Sequence, residues 1–469
     1  MTEGEARVRI MTLGCKVNQV DSEQIADDLA AFIEKDALAS DGPDGIWREA
    51  AKGNDAPEEA VDSAMAAAAR ETASGPEVVV FNSCTVTAEA DRKARKLIRH
   101  ALSLPSRPTV VVTGCLAAVD PEGLRALGDP VLVEPDKELV AERVSSLLGT
   151  SPPAPAPRGT RHRSSSRARV QVKVQDGCDA RCAYCIVPEA RGKPRSVPAA
   201  TVLEEVQCLA AAGVGEVVLT GVNIGRYGDG GVRLPELLSA VGETGIPRVR
   251  LSSIEPGDVD DELLEVAVEL PAFCRHLHVP LQSGCDRTLL AMGRPYDTRT
   301  YGDVLARARA ALPGLAVTTD VIAGFPGEGA ADVAASRAFV ETAGFSRLHV
   351  FRYSERRNTP AAARTDQIPP AERASRAREL RACGARLAER FATERLGTTC
   401  ELLVERVLED EGHRHAEGTT REYLHAIVDD PAARPGDRCL VQITAADAAG
   451  RVTGRLAGPQ NGVCAAPAW

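Results

Sequence analysis

"VQDGCDARCAYC" occupies residues 174–185 and holds three cysteines, Cys178, Cys182 and Cys185, spaced Cys-x3-Cys-x2-Cys, with Tyr184 just before the last. The next cysteine, Cys208, lies 23 residues further on. Thiolates favour zinc or iron–sulfur centres, and a structural zinc site is closed by a fourth ligand. Three thiolates on a [4Fe–4S] cube leave one iron with an open coordination position. A zinc ribbon with a distant fourth ligand is the rival reading of the same residues.

What surrounds the triad separates the two readings. It directly follows "VQVKVQ" (170–175), the first of six strand-like runs with helical stretches between them. The others are "EVVLTG" (216–221), "RVRLSS" (248–253), "HLHVPL" (276–281), "LAVTTDV" (315–321) and "SRLHVF" (346–351). Six β/α units predict a closed or partly closed parallel barrel, whose chemistry sits on loops after the strands' C-terminal ends. An open iron there can chelate S-adenosylmethionine (SAM) through its amino and carboxylate groups. An electron from the cluster then breaks a C–S bond and makes a carbon radical. A barrel lumen keeps such a radical from water.

Outward from the barrel, residues 1–150 alternate strand and helix, with β-rich runs at 8–13, 77–82, 109–114 and 131–134 and a helical pattern at 88–102. This predicts a small parallel-sheet α/β domain. Residues 36–75, rich in Ala, Gly, Asp and Glu, read as an insertion or mobile loop. "SPPAPAPRGT" (151–160) opens a Pro- and Arg-rich linker over 151–169, and the barrel region spans 170–397. Its last stretch, 369–397, reads as a long helix ended by Gly397. Residues 398–458 then carry short alternating runs ("CELLVERV", "REYLHAIV", "RCLVQITA") that predict a small all-β barrel, a shape often used for RNA contact. A tail, 459–469, matches nothing usable.

The chain has 469 residues, about three domains' worth. No apolar run approaches the roughly 18 residues of a membrane span, and "MTEGEARVRIMTLGC" has no h-region. Thirteen cysteines without an export signal point to a reducing, cytoplasmic setting. Net charge is −10, yet 158–175 is strongly basic and 189–196 adds Arg191, Lys193 and Arg195. These runs read either as solvated linker or as an RNA contact.

Three more cysteines stand at the ends of the N-terminal strands: Cys15 in "TLGCKVN", Cys84 in "FNSCTVT" and Cys115 in "VTGCLAA". The loops of a parallel sheet converge on one edge, so these three can meet and hold a second cluster. Three separate buried thiols are the plainer alternative.

The chain resembles the radical-SAM methylthiotransferases over nearly its full length. "TLGCKVNQVDSEQI", "NSCTVTAEADRKARKLIR", "TGCLA", "QDGCDARCAYCIVPEARGKPRS", "VVLTGVNIGRYG", "RLSSIEP", "HVPLQSG", "MGRPY" and "DVIAGFPGE" carry the resemblance. It implies a flavodoxin-like N-terminal domain, a partial (β/α)6 radical-SAM barrel and a C-terminal TRAM barrel. It also implies two [4Fe–4S] clusters, one on Cys15, Cys84 and Cys115 and one on Cys178, Cys182 and Cys185. "LGCKVN" and "CTVT" are most similar to the MtaB type, which methylthiolates N6-threonylcarbamoyladenosine at position 37 of tRNA. The isopentenyladenosine enzymes more typically read "GCQMN", and those acting on a ribosomal protein "GCPKN". The gap from Cys15 to Cys84 is longer than is usual for the type.

The implied chemistry is hydrogen abstraction from C2 of the modified adenosine by a radical made from SAM at the barrel cluster. Sulfur held at the N-terminal cluster, methylated by a second SAM, then joins C2. Gly221, Asn223, Ser253 and Glu255 are the candidate SAM contacts, and Gln282 a polar lining residue. The implied partners are the tRNA anticodon stem-loop, a low-potential electron donor and a sulfur source, with no membrane. A sister methylthiotransferase and a non-catalytic, metal-containing RNA-binding protein are the alternatives. Cys208, Cys274, Cys285, Cys383, Cys400, Cys439 and Cys464 read as structural thiols.

Overall fold

The computed structural model describes residues 7–30, 38–40, 76–150, 167–410, 413–430 and 432–457. They fall into two compact units. One holds the described residues up to 150 together with 176–194 and 354–362. The other holds the remainder from 167 onwards.

The first unit is built on a five-stranded, all-parallel sheet of β1 (Val8–Thr12), β2 (Leu38–Ser40), β3 (Val78–Ser83), β4 (Thr109–Gly114) and β5 (Val131–Val133). The order β2-β1-β3-β4-β5 is that of flavodoxin-like sheets. β3 is buried at all six positions, as a central parallel strand covered on both faces must be. The predicted helix forms over Ala88–Leu102, with Thr87 Oγ1 accepting from Ala90 N (3.1 Å). Glu89 and Asp91 lie in its first turn and Arg99 in its last, each suited to the local dipole. Within the supposed insertion at 36–75 the described residues are 38–40, and they add an edge strand beside β1, so that stretch is not all loop.

In the second unit six parallel strands alternate with helices. They are β6 (Arg169–Lys173), β7 (Glu216–Thr220), β8 (Val249–Leu251), β9 (His276–His278), β10 (Ala316–Ala323) and β11 (Arg347–Arg352). They form two three-stranded sheets, β8-β7-β6 and β9-β10-β11, joined through the parallel bridge Ser253↔His278. The result is a partial barrel. Val172, Leu219, Leu251, Leu277, Val317 and Val350, one from each strand, share a single apolar core.

The long helix runs over Pro370–Thr393 and stops short of Gly397. Gly397 N donates instead to Ile443 O (2.9 Å), because the chain is already joining the next sheet. That sheet is a closed five-stranded barrel of β12 (Thr399–Asp410), β13 (His413–Thr420), β14 (His425–Asp429), β15 (Arg438–Ala446) and β16 (Val452–Leu456). β13 and β16 were not legible in sequence. The inward positions of β13, "HRHAEGTT", include Ala416, Gly418 and Thr420, too small or polar to show an apolar alternation.

The small barrel meets the N-terminal ends of β7 and β8 through buried charge. Glu216 opens β7, fully buried, and takes Arg250 Nε (2.8 Å) and Arg248 Nη2 (2.6 Å). Those arginines also donate to Thr419 O (3.1 Å), Thr420 O (3.0 Å) and Arg421 O (3.1 Å). Burial raises the Glu216 carboxyl, but the guanidiniums of Arg250 and Arg248 outweigh it and hold the group well below the usual carboxylate range.

Candidate functional site

Cys15, Cys84 and Cys115 stand past the carboxyl ends of β1, β3 and β4. β1 and β3 are the pair at which the strand order reverses, the switch point where sheets of this topology bind ligands. Gly14, at φ +122°, brings the Cys15 loop against Cys84: a Cβ there would lie 2.7 Å from Cys84 Cβ and 2.9 Å from its Sγ. Cys84 and Cys115 are buried and Cys15 is exposed. Burial, then the neighbouring Cys15 and Cys115, push the Cys84 thiol up to about 12. Burial also raises Cys115, against the pull of Arg191. That Cys15 and Cys115 each raise the Cys84 thiol shows the three sulfur groups to be close neighbours.

Cys178, Cys182 and Cys185 lie in the same compact unit, on a loop closed by Cys178 N donating to Gly192 O (3.0 Å). Within it, Cys185 N donates to Cys182 O (3.1 Å), and Ala180 N lies 3.4 Å from Cys178 Sγ. Sulfur already accepting an N–H is in the setting of an iron–sulfur ligand, whose potential such bonds tune. Among the described residues no three His, Cys, Asp or Glu side chains converge as one metal ion needs. A cube binds its cysteines at separate iron corners and asks for a wider spacing.

Two further parts of this unit were missed in sequence. Arg191, grouped there with the exposed basic residues, is buried and donates from Nη1 to Asp176 Oδ1 (2.8 Å). Its Nη2 reaches Asn18 Oδ1 and lies 3.3 Å from Asp21 Oδ2. It is therefore not an RNA contact; Lys193 and Arg195 are exposed. The second part is the segment 354–362, which touches both cysteine loops. Arg356 Nη2 donates to Thr85 Oγ1 (3.0 Å) and pairs with Asp91, Ser354 Oγ accepts from Ala88 N (2.8 Å), and Ala361 N donates to Ala183 O (2.8 Å). Nothing in "SERRNTPAA" signals this, since its role depends on contacts far away in the chain.

In the second unit, the candidate SAM contacts lie at or beyond the C-terminal ends of β7 and β8. Gly221 lets the Gln175 backbone approach: a Cβ would lie 2.8 Å from Gln175 O. Gln175 Oε1 accepts from Val222 N (3.1 Å) and Asn223 N (2.8 Å). Asn223 Oδ1 and Ser252 Oγ are buried without a hydrogen-bond partner within the protein, an arrangement that fits a polar ligand. Ser253 is half-buried in its bridge to His278. Glu255 is paired with the buried Arg294 of "MGRPY", and burial raises its carboxyl. Gln282 holds φ +66°, a strained conformation for its type.

Sequence reading also missed a polar row across β9–β11. His278 Nδ1 lies 2.9 Å from Thr318 Oγ1 and Nε2 3.3 Å from Asp320 Oδ1, with His349 edge-on at 5.7 Å. Of the other cysteines, Cys274, Cys285, Cys383 and Cys439 are buried, Cys400 is half-buried and Cys208 is exposed; Cys464 lies outside the described residues.

Residues 172–340 match the model of the radical SAM superfamily, and residues 53–133 match uncharacterized protein family UPF0004. Among solved structures, the radical S-adenosylmethionine methyltransferase TsrM from Kitasatospora setae, with cobalamin and a [4Fe–4S] cluster bound, shares the fold. Its TM-score is 0.52 at 17% identity, over 76% of this chain and 77% of that one. The class is thus that of radical-SAM enzymes.

Among curated relatives, the threonylcarbamoyladenosine tRNA methylthiotransferase MtaB of Thermotoga maritima is 33% identical over 85% of this chain and 86% of its own. That of Bacillus subtilis is 32% identical over 90% of each. The tRNA-2-methylthio-N(6)-dimethylallyladenosine synthase of Streptomyces coelicolor is 34% identical over 94% of this chain and 86% of its own. The chain belongs to the radical-SAM methylthiotransferases, enzymes that use SAM and [4Fe–4S] clusters. Among the described residues no helix is long and apolar enough to cross a membrane.

Proposed function

We propose that this chain adds a methylthio group at C2 of N6-threonylcarbamoyladenosine at position 37 of tRNA, acting in the cytoplasm on the anticodon stem-loop. The observation that carries the two-cluster chemistry is the presence of both cysteine triads in one compact unit. The choice of nucleoside rests on "LGCKVN" and "CTVT" around Cys15 and Cys84. Overall identity does not discriminate, because relatives named for the dimethylallyl nucleoside match equally well.

Cys178, Cys182 and Cys185 hold the radical-generating cluster, and Cys15, Cys84 and Cys115 the cluster that carries sulfur. When bound, the clusters and SAM supply the electron transfer, the carbon radical and the methylthio sulfur. Asn223 offers its Oδ1 to SAM from a buried position, beside the close backbone approach at Gly221. Ser253 and Glu255 complete the SAM contacts, Glu255 being oriented by Arg294. The row His278, Thr318, Asp320 and His349 offers polar partners for an adenine. A low-potential donor supplies electrons and a separate source supplies sulfur. RNA contacts fall to the C-terminal barrel and to Lys193 and Arg195, through phosphate pairing.

The test is mass spectrometry of tRNA nucleosides from cells lacking the gene. The 2-methylthio form of threonylcarbamoyladenosine disappears and its unthiolated precursor accumulates. Loss of the dimethylallyl 2-methylthio nucleoside instead transfers the assignment to the sister activity.

A further inference from the structure

We propose that Arg191 is a positioning residue that links the two cysteine loops and biases the N-terminal cluster toward its reduced form. The proposal rests on the reading that Cys15, Cys84 and Cys115 hold a [4Fe–4S] cluster.

A chain of contacts runs from one triad to the other. Cys115 Sγ lies 4.0 Å from Asn18 Oδ1, which also takes Arg191 Nη2. Arg191 Nη1 donates to Asp176 Oδ1 (2.8 Å), the same oxygen that accepts from Gly177 N (2.8 Å), next to Cys178. Asn18 is itself fixed, its Nδ2 donating to Leu13 O and Ser83 O (both 2.9 Å) beside Cys15 and Cys84. The guanidinium suits this task because its planar fork reaches two partners at once and never loses its proton.

Charge adds a second consequence. The Arg191 side chain is 5% exposed, and burying a cation is unfavourable unless anions compensate. Asp21 and Asp176 do so, and Lys137 pairs with Asp21 as well. Burial opposes the charge, yet Cys115, Asp21, Asp176 and Cys15 together more than restore it. Two cations and two carboxylates thus balance beside the triad. A cluster gains negative charge on reduction, so removing the cation disfavours the reduced form and removing a carboxylate favours it. A purely mechanical link would give no such opposition of sign.

The experiment is a redox titration followed by electron paramagnetic resonance on the full-length protein, reconstituted anaerobically with iron and sulfide. The N-terminal signal is identified by its loss in the Cys15→Ala/Cys84→Ala/Cys115→Ala variant. Arg191→Gln is expected to shift that cluster's reduction equilibrium at least tenfold toward the oxidised form, about 59 mV for one electron. Asp176→Asn shifts it the other way, and Arg191→Lys leaves it near wild type while weakening cluster retention. Equal potentials in all variants with both clusters loaded, or shifts of one sign, overturn the proposal. Should Arg191→Gln fail to fold, the upward shift of Asp176→Asn decides. A wild-type chain that loads no cluster on the N-terminal triad overturns the underlying reading, and this proposal with it.

Discussion

Cys84 and Cys115 show how far single residues announce their place in the fold. Their spacing in the chain is uninformative, but their place after successive strands of a parallel sheet was readable, and the structure puts Cys84 at the sheet's switch point with Cys115 one strand further along, past β4. The variant Cys15→Ala/Cys84→Ala/Cys115→Ala is expected to keep reductive cleavage of SAM, read as 5′-deoxyadenosine, and to make no methylthiolated product. Asn223 is a narrower case. Its buried, unpartnered Oδ1 predicts that Asn223→Ala weakens SAM about tenfold, the worth of one hydrogen bond to a charged group (about 1.5 kcal/mol), in an equilibrium binding assay. Arg191 was misread because sequence reports charge but not depth: among "EARGKPRS" nothing distinguishes the buried arginine from its exposed neighbours.

At the scale of elements, strands with continuous or alternating apolar residues were legible, and those built from small residues were not. The six barrel strands appear within two or three residues of expectation, whereas β13 and β16 went unseen. The segment 354–362 was equally hidden. Arg356 is buried against Asp91 and Thr85, and Thr85 adjoins Cys84. Arg356→Ala leaves Asp91 uncompensated and is expected to cost about 3 kcal/mol, read by chemical denaturation, with faster loss of iron.

Glu216 gives a pH signature for the joint between the two barrels. Its folded pKa is depressed, so its contribution is fully present above the unfolded carboxylate value, about 4.3, and fades as pH falls below it. The stability gap between wild type and Glu216→Gln is therefore flat near neutrality and narrows in acid. A gap that widens in acid contradicts the buried ion pairing.

For the whole molecule, a net charge of −10 sits beside the proposed RNA substrate, so binding to it falls to local basic groups. Lys193→Glu together with Arg195→Glu is expected to weaken tRNA binding and flatten its salt dependence, by about 0.7 in log–log slope for each phosphate no longer neutralised. The order of strands and helices and the two sets of three cysteines were legible in sequence because these rest on local pattern. Sequence did not convey that both triads share one unit, since Cys178–Cys185 are separated from the N-terminal domain by a long linker and the first barrel strand.

That shared unit makes iron and sulfide content the most direct measurement. The reconstituted wild-type chain should hold about eight irons and eight sulfides, and each triple-alanine variant, at Cys15, Cys84 and Cys115 or at Cys178, Cys182 and Cys185, about four. A wild-type chain holding about four, or an N-terminal variant that keeps the full complement, contradicts the assignment of one cluster to each triad.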